Sequence, residues 1–503
     1  MMELTALSED DLKIFAQDVA IACRPGDCIA LKGDLGAGKT SFARAFIRYL
    51  AGADIDVPSP TFSLVLPYDD LSPPVHHLDL YRIGDADELS ELGLDEALET
   101  GIALVEWPER AADALPASSL VISIAVATHH DDMRDVVVSG GADIVARVQA
   151  SLQARQFLSA QEAAYGERRT FSGDASTRLY ETVTDRHAQR FLMIAPRQAD
   201  GPPIRDGKPY SQLAHLAEDI VPFVVIASAL RAHGFRAPRI DAYDLEPGYV
   251  LLEDLGRGGV LDADGAPIAD RYQEASRCLA ALHQCDWQPA LSGAGSQHVL
   301  PHYDRDVFNI EAALLLDWYV PAETGREAGT AMRQDFTAIM DDLWAKLDQG
   351  RFTILLRDFH SPNIVHDGSK TGVNRIGLID FQDALWGPAA YDLMSLVHDA
   401  RVTVPDTLGQ KLMADYCAQR AATEEAFDAE AFQMEAGICT VQRLCKILGI
   451  FHRLNRRDGK PAYLQHLPRI KSYFERTLSD NTPARAALAP LARWWSAAGL
   501  GSN

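Results

Sequence analysis

Two hydrophobic periods alternate along the chain. Leu12, Ile14, Phe15, Val19 and Ile21 recur at helical spacing behind Ser8-Glu9-Asp10-Asp11, a helix start with acid in its first turn. Pro25-Gly26-Asp27 ends that pattern. Residues 28–31 then read as a short buried strand, joined by a glycine-rich turn to a helical stretch over 41–50. Further apolar strands are expected at 75–82, 102–107 and 136–138, and Ser139-Gly140-Gly141-Ala142 closes this first region. Residues 144–164 read as helix without proline, which predicts a stiff join. Alternation over 171–183 predicts a hairpin, and 190–195 and 249–256 read as strands. From Asp270 onward the pattern is largely helical, with helices at 271–283 and 307–319. Residues 286–303, which contain several Gly, Pro and Ser, read as a loop or insertion. Within the helical part, the short apolar runs 352–356 and 376–379 each deliver an aspartate to the end of a strand-like segment.

At 503 residues the chain exceeds one hydrophobic core, so two or three domains are expected. The pattern divides it into an α/β domain at 1–142, a helical linker at 143–160, a β-rich lobe with a hinge at 161–256 and a helical lobe at 257–503. No apolar window is long enough to span a bilayer, and the acidic N-terminus does not read as a signal peptide, so a cytoplasmic protein is expected. The seven cysteines are scattered with no C-x-x-C pair, and none of the fifteen histidines sits in an H-E-x-x-H frame; reduced thiols and no histidine-held metal are expected. The net charge of −24 is uneven: residues 1–150 hold 10 Lys/Arg against 26 Asp/Glu, a balance of −16. Such a domain repels a phosphate backbone, so tight direct nucleic-acid binding there is not expected.

The turn after the strand at 28–31 reads Gly33-Asp34-Leu35-Gly36-Ala37-Gly38-Lys39-Thr40, a G-x-x-x-x-G-K-T run in the strand–loop–helix context that the motif requires. Gly33, Gly36 and Gly38 let backbone N–H groups wrap nucleotide phosphates at a helix N-terminus; Lys39 reaches the β and γ phosphates and the Thr40 hydroxyl ligates Mg²⁺. Asp79 and Glu106 end apolar strands and are the candidate carboxylates near that ion; the less favoured reading of each is an exposed strand-end acid. The succession GDLGAGKT, SPTF, HLDLYR and VEWPE over nearly all of 1–140 resembles the TsaE family, the ATPase subunit of the bacterial machinery for tRNA threonylcarbamoyladenosine. That resemblance implies a short P-loop fold with Asp79 and Glu106 acting on Mg²⁺ and the attacking water. It places Thr61 in a loop that senses the γ-phosphate, and it implies work on partner subunits that carry the transferase site.

The second half is organised around Arg357-Asp358-Phe359-His360-Ser361-Pro362-Asn363 and Ile379-Asp380-Phe381. An Asp followed five residues later by Asn, then a strand ending in Asp-Phe, is the arrangement of kinase-like phosphotransferases: Asp358 accepts the proton of an attacking hydroxyl, and Asn363 and Asp380 hold Mg²⁺ on ATP. Gly173 and Ser176, at the tip of the expected hairpin, can lay N–H groups over phosphates. The strand at 190–195 offers Met193 and Ile194 where a kinase carries its phosphate-pairing lysine. Arg178 or another basic residue must supply that charge, and Glu218 has no evident lysine partner. Glu253 closes the hinge strand, whose backbone is expected to meet adenine.

The runs SGDASTR, LLEDLG, RDFHSPN and IDFQDALWGPAAYDL resemble the aminoglycoside-phosphotransferase-like kinases, an α+β two-lobed kinase-like fold. With 304–319 and 442–454 they resemble more closely the amino-sugar anomeric kinases of cell-wall recycling (AmgK) over 155–480. That implies phosphoryl transfer from ATP to the anomeric hydroxyl of N-acetylmuramate or N-acetylglucosamine, feeding UDP-sugar synthesis. Asp383 and Asp392 read as structural. Arg443, Lys446 and Arg453 share one helix face that could meet an acidic sugar or product phosphate; we read it as a solvated basic face, because long cations are usually exposed. The alternative to this fusion makes the second half an aminoglycoside or small-alcohol kinase and the first domain a regulatory nucleotide-binding module.

Overall fold

The computed structural model describes residues 1–83, 92–111, 114–128, 130–161, 163, 166–171, 178–185, 188–197 and 201–501. The chain divides into two compact units, residues 1–172 with 181–189, and residues 173–180 with 190–503. The linker helix and the first strand after it therefore pack with the first unit.

The first unit opens with strand β1 (Met2–Leu7) and helix α1 (Glu9–Ala22). Ser8 caps α1 by a reciprocal box: its hydroxyl accepts the Asp11 N–H, and the Asp11 carboxylate accepts the Ser8 N–H. Next come β2 (Cys28–Lys32), α2 (Lys39–Ala51), β3 (Val65–Tyr68), β4 (Val75–Asp79), α3 (Leu94–Thr100) and β5 (Ile102–Glu106). The strands β6 (Leu120–Ala127) and β7 (His130–Gly140) lead into α4 (Ala142–Ser159). The sheet order is β1-β7-β6-β2-β5-β4-β3, with β6, β2, β5 and β4 mutually parallel. Both faces of β2 and β5 are covered: Ile29, Leu31 and Leu104 pack with Phe15, Phe42 and Phe46, while Cys28, Ala103 and Val105 pack with Leu78 and Leu94. That explains why these strands read as continuous apolar runs.

In the second unit the strands Gln189–Ile194, Tyr249–Glu253 and Ile240–Asp244 pair antiparallel in that order. The helix Val221–Ala232 follows them into a core shared with the helical part. The expected loop over 286–303 is instead a hairpin, Ala290–Gly293 paired with Ser296–Val299. Ala294 and Gly295 take positive φ at its tip, so the turn chemistry is carried without the usual Asn-Gly pair. The helix expected over 307–319 ends at Ala312, and a π-helical turn spans Leu315–Tyr319. The linker helix likewise stops at Ser159, short of the expected 164. All seven cysteines are free. Among the described residues no helix is long and apolar enough to cross a membrane.

Candidate active sites

Strand register assembles the site of the first unit. Pairing sets Leu31 of β2 beside Glu106 of β5, and Glu106 beside Asp79 of β4. Both acids thus stand at the carboxyl ends of parallel strands, where open α/β sheets bind ligands. The turn leaving β2 needs its glycines. Gly33, at φ +146°, passes so near β6 that a Cβ would stand 2.3 Å from the Ile124 carbonyl oxygen, and Gly38 precedes α2 at φ +113°. Gly36 adopts φ +79° in the same turn.

The side chains then interlock. Thr40 Oγ1 donates to Glu106 Oε2 at 2.9 Å, and the buried His77 Nε2 lies 2.9 Å from Glu106 Oε1. Thr61 Oγ1 donates to Asp79 Oδ2 at 2.7 Å, and the Tyr81 N–H donates to Oδ1 at 2.9 Å. Lys39 Nζ donates to the Gly33 and Asp34 carbonyls at 2.6 and 2.9 Å and lies 3.6 Å from the Trp107 ring centroid. Burial lowers the Lys39 pKa, against the opposing pull of Glu106, Glu109 and Asp79. From β7, Arg134 Nε donates to the Ala37 carbonyl at 2.8 Å and braces the turn. Sequence reading missed His77, Trp107 and Arg134 as parts of this site. His77 had a signal, since it sits two residues before Asp79 on the same strand face; Arg134 had none.

Lys39, Thr40, Thr61, Asp79 and Glu106 are therefore brought together. A hydroxyl and two carboxylates form a hard-oxygen donor set, which fits an Mg²⁺ that completes its shell with nucleotide phosphates. Among the described residues no group of three or more His, Cys, Asp and Glu forms a separate metal cage.

In the second unit two small antiparallel pairs carry the chemistry. Thr353–Leu355 pairs with Leu385–Gly387, and Ile364–His366 pairs with Ile376–Leu378. The second register sets Ile364 opposite Leu378, and the Ile379 N–H donates to the Asn363 carbonyl at 3.3 Å, which brings the next residue, Asp380, beside Asn363. Asn363 Nδ2 donates to the Asp358 carbonyl at 2.9 Å and lies 3.3 Å from Asp380 Oδ2. Asp358, Asn363 and Asp380 thus share one cluster. Arg178 Nη1 lies 3.4 Å from Asp380 Oδ1, and Gln382 Nε2 donates to the same oxygen at 2.9 Å. Asp380 holds φ +59° and Arg357 φ +73°, conformations that non-glycine residues keep only under tertiary constraint.

The two acids are driven apart in pKa. Burial raises that of Asp380, and the Asp358 charge raises it further. Burial also works to raise Asp358, but Lys446, His360, Arg357 and Arg443 outweigh it and hold the carboxyl below its ordinary value. Asp358 is therefore ionised at neutral pH, as a proton acceptor must be. One carboxylate and an amide oxygen, from Asp380 and Asn363, again fit Mg²⁺ shared with phosphates.

One expectation changes. The helix face of Arg443, Lys446 and Arg453 is not solvated: Arg443 and Lys446 are 3% and 9% exposed, and Lys446 Nζ meets Glu311 Oε1 at 2.8 Å. The compensating acid lies far away in sequence, which is why spacing alone misread the face. Glu218 has an arginine partner, Arg197 Nη2 at 3.4 Å, instead of a lysine. The Glu253 carboxylate, at the end of the strand Tyr249–Glu253, accepts the Arg239 N–H at 3.0 Å and lies 3.5 Å from Arg231. Gly173 and Ser176 lie outside the described residues. Asp392 and Asp383 are structural acceptors: Asp392 takes the Leu356 and Arg357 N–H groups at 2.7 Å each, and Asp383 takes that of Ala217 at 2.7 Å.

These geometries define the class: an α/β P-loop NTPase domain followed by an α+β kinase-like phosphotransferase domain. The family model of threonylcarbamoyl adenosine biosynthesis protein TsaE matches residues 6–136, and that of the phosphotransferase enzyme family matches residues 167–428. The chain is 32% identical over 352 residues to the N-acetylmuramate/N-acetylglucosamine kinase of Caulobacter vibrioides, covering 67% of this chain and 94% of that protein. It is 36% identical over 278 residues to the protein of the same name from Pseudomonas aeruginosa, covering 54% of this chain and 78% of the relative. Its N-terminal part is 38% identical over 117 residues to the tRNA threonylcarbamoyladenosine biosynthesis protein TsaE of Rickettsia bellii, covering 23% of this chain and 81% of that protein. The chain belongs to both families, as a fusion of a TsaE domain with a phosphotransferase-family kinase.

Proposed function

We propose that the chain is bifunctional. Its second half transfers the γ-phosphoryl group of ATP to the anomeric hydroxyl of N-acetylmuramate or N-acetylglucosamine in cell-wall recycling. Its first half hydrolyses ATP in support of tRNA threonylcarbamoyladenosine synthesis. The convergence of Asp358, Asn363 and Asp380 carries the kinase reading, supported by the names of its relatives. Asp358 takes the proton of the sugar hydroxyl as it attacks, and Asn363 fixes the Asp358 loop through its carbonyl. Asn363 and Asp380 would hold Mg²⁺, which supplies neutralisation of charge on the transferring phosphate. The cation near Asp380 is Arg178, our candidate for the missing phosphate-pairing lysine.

In the first half Lys39 and the turn's N–H groups would bind phosphate, and Thr40, Asp79 and Glu106 would hold Mg²⁺ and position the attacking water. Thr61, bonded to Asp79, would report the γ-phosphate. The partners in this reading are the transferase subunits, with no tight direct contact to tRNA; the −16 balance of residues 1–150 supports that division. Both activities draw on ATP, and we place them in the cytoplasm.

Purified full-length protein given ATP and either sugar should release ADP and form the sugar 1-phosphate. Asp358→Asn should lower kcat by at least about a hundredfold. A wild-type protein that ignores both sugars yet phosphorylates an aminoglycoside or a small alcohol would refute the substrate assignment. For the first half, Glu106→Gln should abolish ATP hydrolysis measured with the partner subunits; unchanged hydrolysis would remove Glu106 from the water-activating role.

A further inference from the structure

The helix Ala429–Asp458 carries a polar stripe, Gln442, Lys446, Gly449 and Arg453, at intervals of four, three and four residues. The stripe faces inward. A Cβ on Gly449 would stand 2.2 Å from the Leu314 carbonyl oxygen, so the helix approaches its neighbour as closely as backbone allows. Above that contact, Glu311 is fully buried and accepts from three donors: Arg357, Lys446 at 2.8 Å and Gln442 at 3.1 Å. Its charge is thus shared among groups that adjoin Asp358 in the chain or act on its carboxyl.

Arg453 is left differently placed. Its guanidinium lies 5.1 Å from the Tyr210 ring centroid, and its Nε is buried with no hydrogen-bond partner among the described residues. Burial lowers its pKa, and the neighbour that most opposes this is the Tyr210 phenol, ahead of any carboxylate. The Tyr210 hydroxyl in turn feels Glu311, Arg357, Arg453 and Asp358, which ties this end of the stripe to the proton acceptor. Arg357 Nε and Nη1 are also buried with no partner among the described residues. From Arg357, next to Asp358, to Arg453 along this helix face, the guanidinium groups keep donors without an acceptor among the described residues. A polycationic acceptor would be repelled there, and a neutral one would leave the Arg453 charge unmatched. A planar carboxylate supplies the acceptor geometry that a guanidinium fork takes.

We propose that Arg453, backed by Tyr210, is a specificity residue that binds the carboxylate of an acidic sugar and so distinguishes N-acetylmuramate from N-acetylglucosamine. This rests on the sugar-kinase reading above. The ether-linked carboxylate is the group by which the two sugars differ, and the anomeric hydroxyl that reacts is common to both.

The test compares kcat/KM of the full-length protein for N-acetylmuramate, its methyl ester and N-acetylglucosamine, in wild type, Arg453→Gln and Arg453→Lys. The wild type should prefer the free acid to the ester by about tenfold or more. Arg453→Gln should erase that preference, and Arg453→Lys should keep part of it. A wild type that treats acid and ester alike, while still phosphorylating N-acetylglucosamine, overturns this proposal and leaves the kinase reading intact. The ester comparison needs no variant, so misfolding of Arg453→Gln cannot mask that outcome. An acid/ester ratio unchanged in Arg453→Gln also overturns the proposal, because the carboxylate would then be read by another group. A wild type that phosphorylates neither sugar removes the kinase reading and this one together.

Discussion

His398 and Glu311 show how single buried groups tie the second unit to pH. Burial, with Arg476 and Arg443, lowers the His398 pKa from 6.5 to about 3. Glu311 is lowered from 4.5 to about 2: burial works against ionisation, but Arg357 and Lys446 outweigh it. Both folded values lie below the unfolded ones, so both groups contribute stability that is complete above the unfolded pKa and fades as pH falls. The windows differ. His398 acts between pH 6.5 and 3, where the unfolded chain takes up a proton that the fold refuses; Glu311 acts only from 4.5 down to 2. Urea midpoints of the full-length protein, followed by tryptophan fluorescence, should therefore fall from pH 6.5 to 4.5. His398→Gln should flatten that slope by up to about 1.4 kcal/mol per pH unit. An equal slope in the variant would show that other groups carry the dependence.

The helix Ala389–Val397 acts as an element through one acid in its first turn. Asp392 is wholly buried and accepts the N–H groups of Leu356 and Arg357, the two residues that lead into Asp358. It holds Arg357 at its left-handed φ of +73°. Asp392→Ala leaves two buried donors unmatched and should cost about 3 kcal/mol, while Asp392→Asn, which keeps one oxygen acceptor, should cost about half as much. Urea unfolding checks the ranking, and ADP release should fall in the same order. The two strand-end aspartates were legible because short apolar runs bounded by polar turns have few other readings. The glycine turn was legible because its spacing is itself the chemistry. What stayed hidden depended on distant partners. Glu311 turns the Lys446 face inward across some 130 residues, and His77 gains its role only when β4 lies beside β5. The hairpin at 290–299 was hidden for a local reason, since Ala294 at φ +49° stands where sequence rules look for Asn or Gly.

At the scale of the whole chain, the compact units and the family boundaries do not coincide. The phosphotransferase match begins at residue 167, but residues up to 172, with 181–189, pack in the first unit. One buried charge cluster accounts for this. Arg168 is 0% exposed; its Nη1 donates to Asp18 of α1 at 2.7 Å and to the Ser151 carbonyl of α4 at 3.0 Å, and its Nε donates to Glu181 at 2.7 Å. Arg155 of α4 holds the other Asp18 oxygen at 2.6 Å. The opening segment of the kinase family region is thus bonded to the first helix of the TsaE region. Removing one member of such a cluster strands a buried charge, which typically costs about 3–5 kcal/mol. Arg168→Met should therefore lower the thermal midpoint of the full-length protein by several degrees, and adding Asp18→Asn should recover part of the loss. A fragment starting at residue 161 keeps Arg168 and Glu181 but lacks Asp18, Ser151 and Arg155, so it should melt below the kinase transition of the intact chain. In that fragment Arg168 keeps Glu181 alone of these partners, so Arg168→Met should lower its midpoint less than it lowers that of the intact chain. Differential scanning calorimetry on the five proteins tests these statements, and a fragment with an unchanged midpoint would show that the cluster serves the first unit alone.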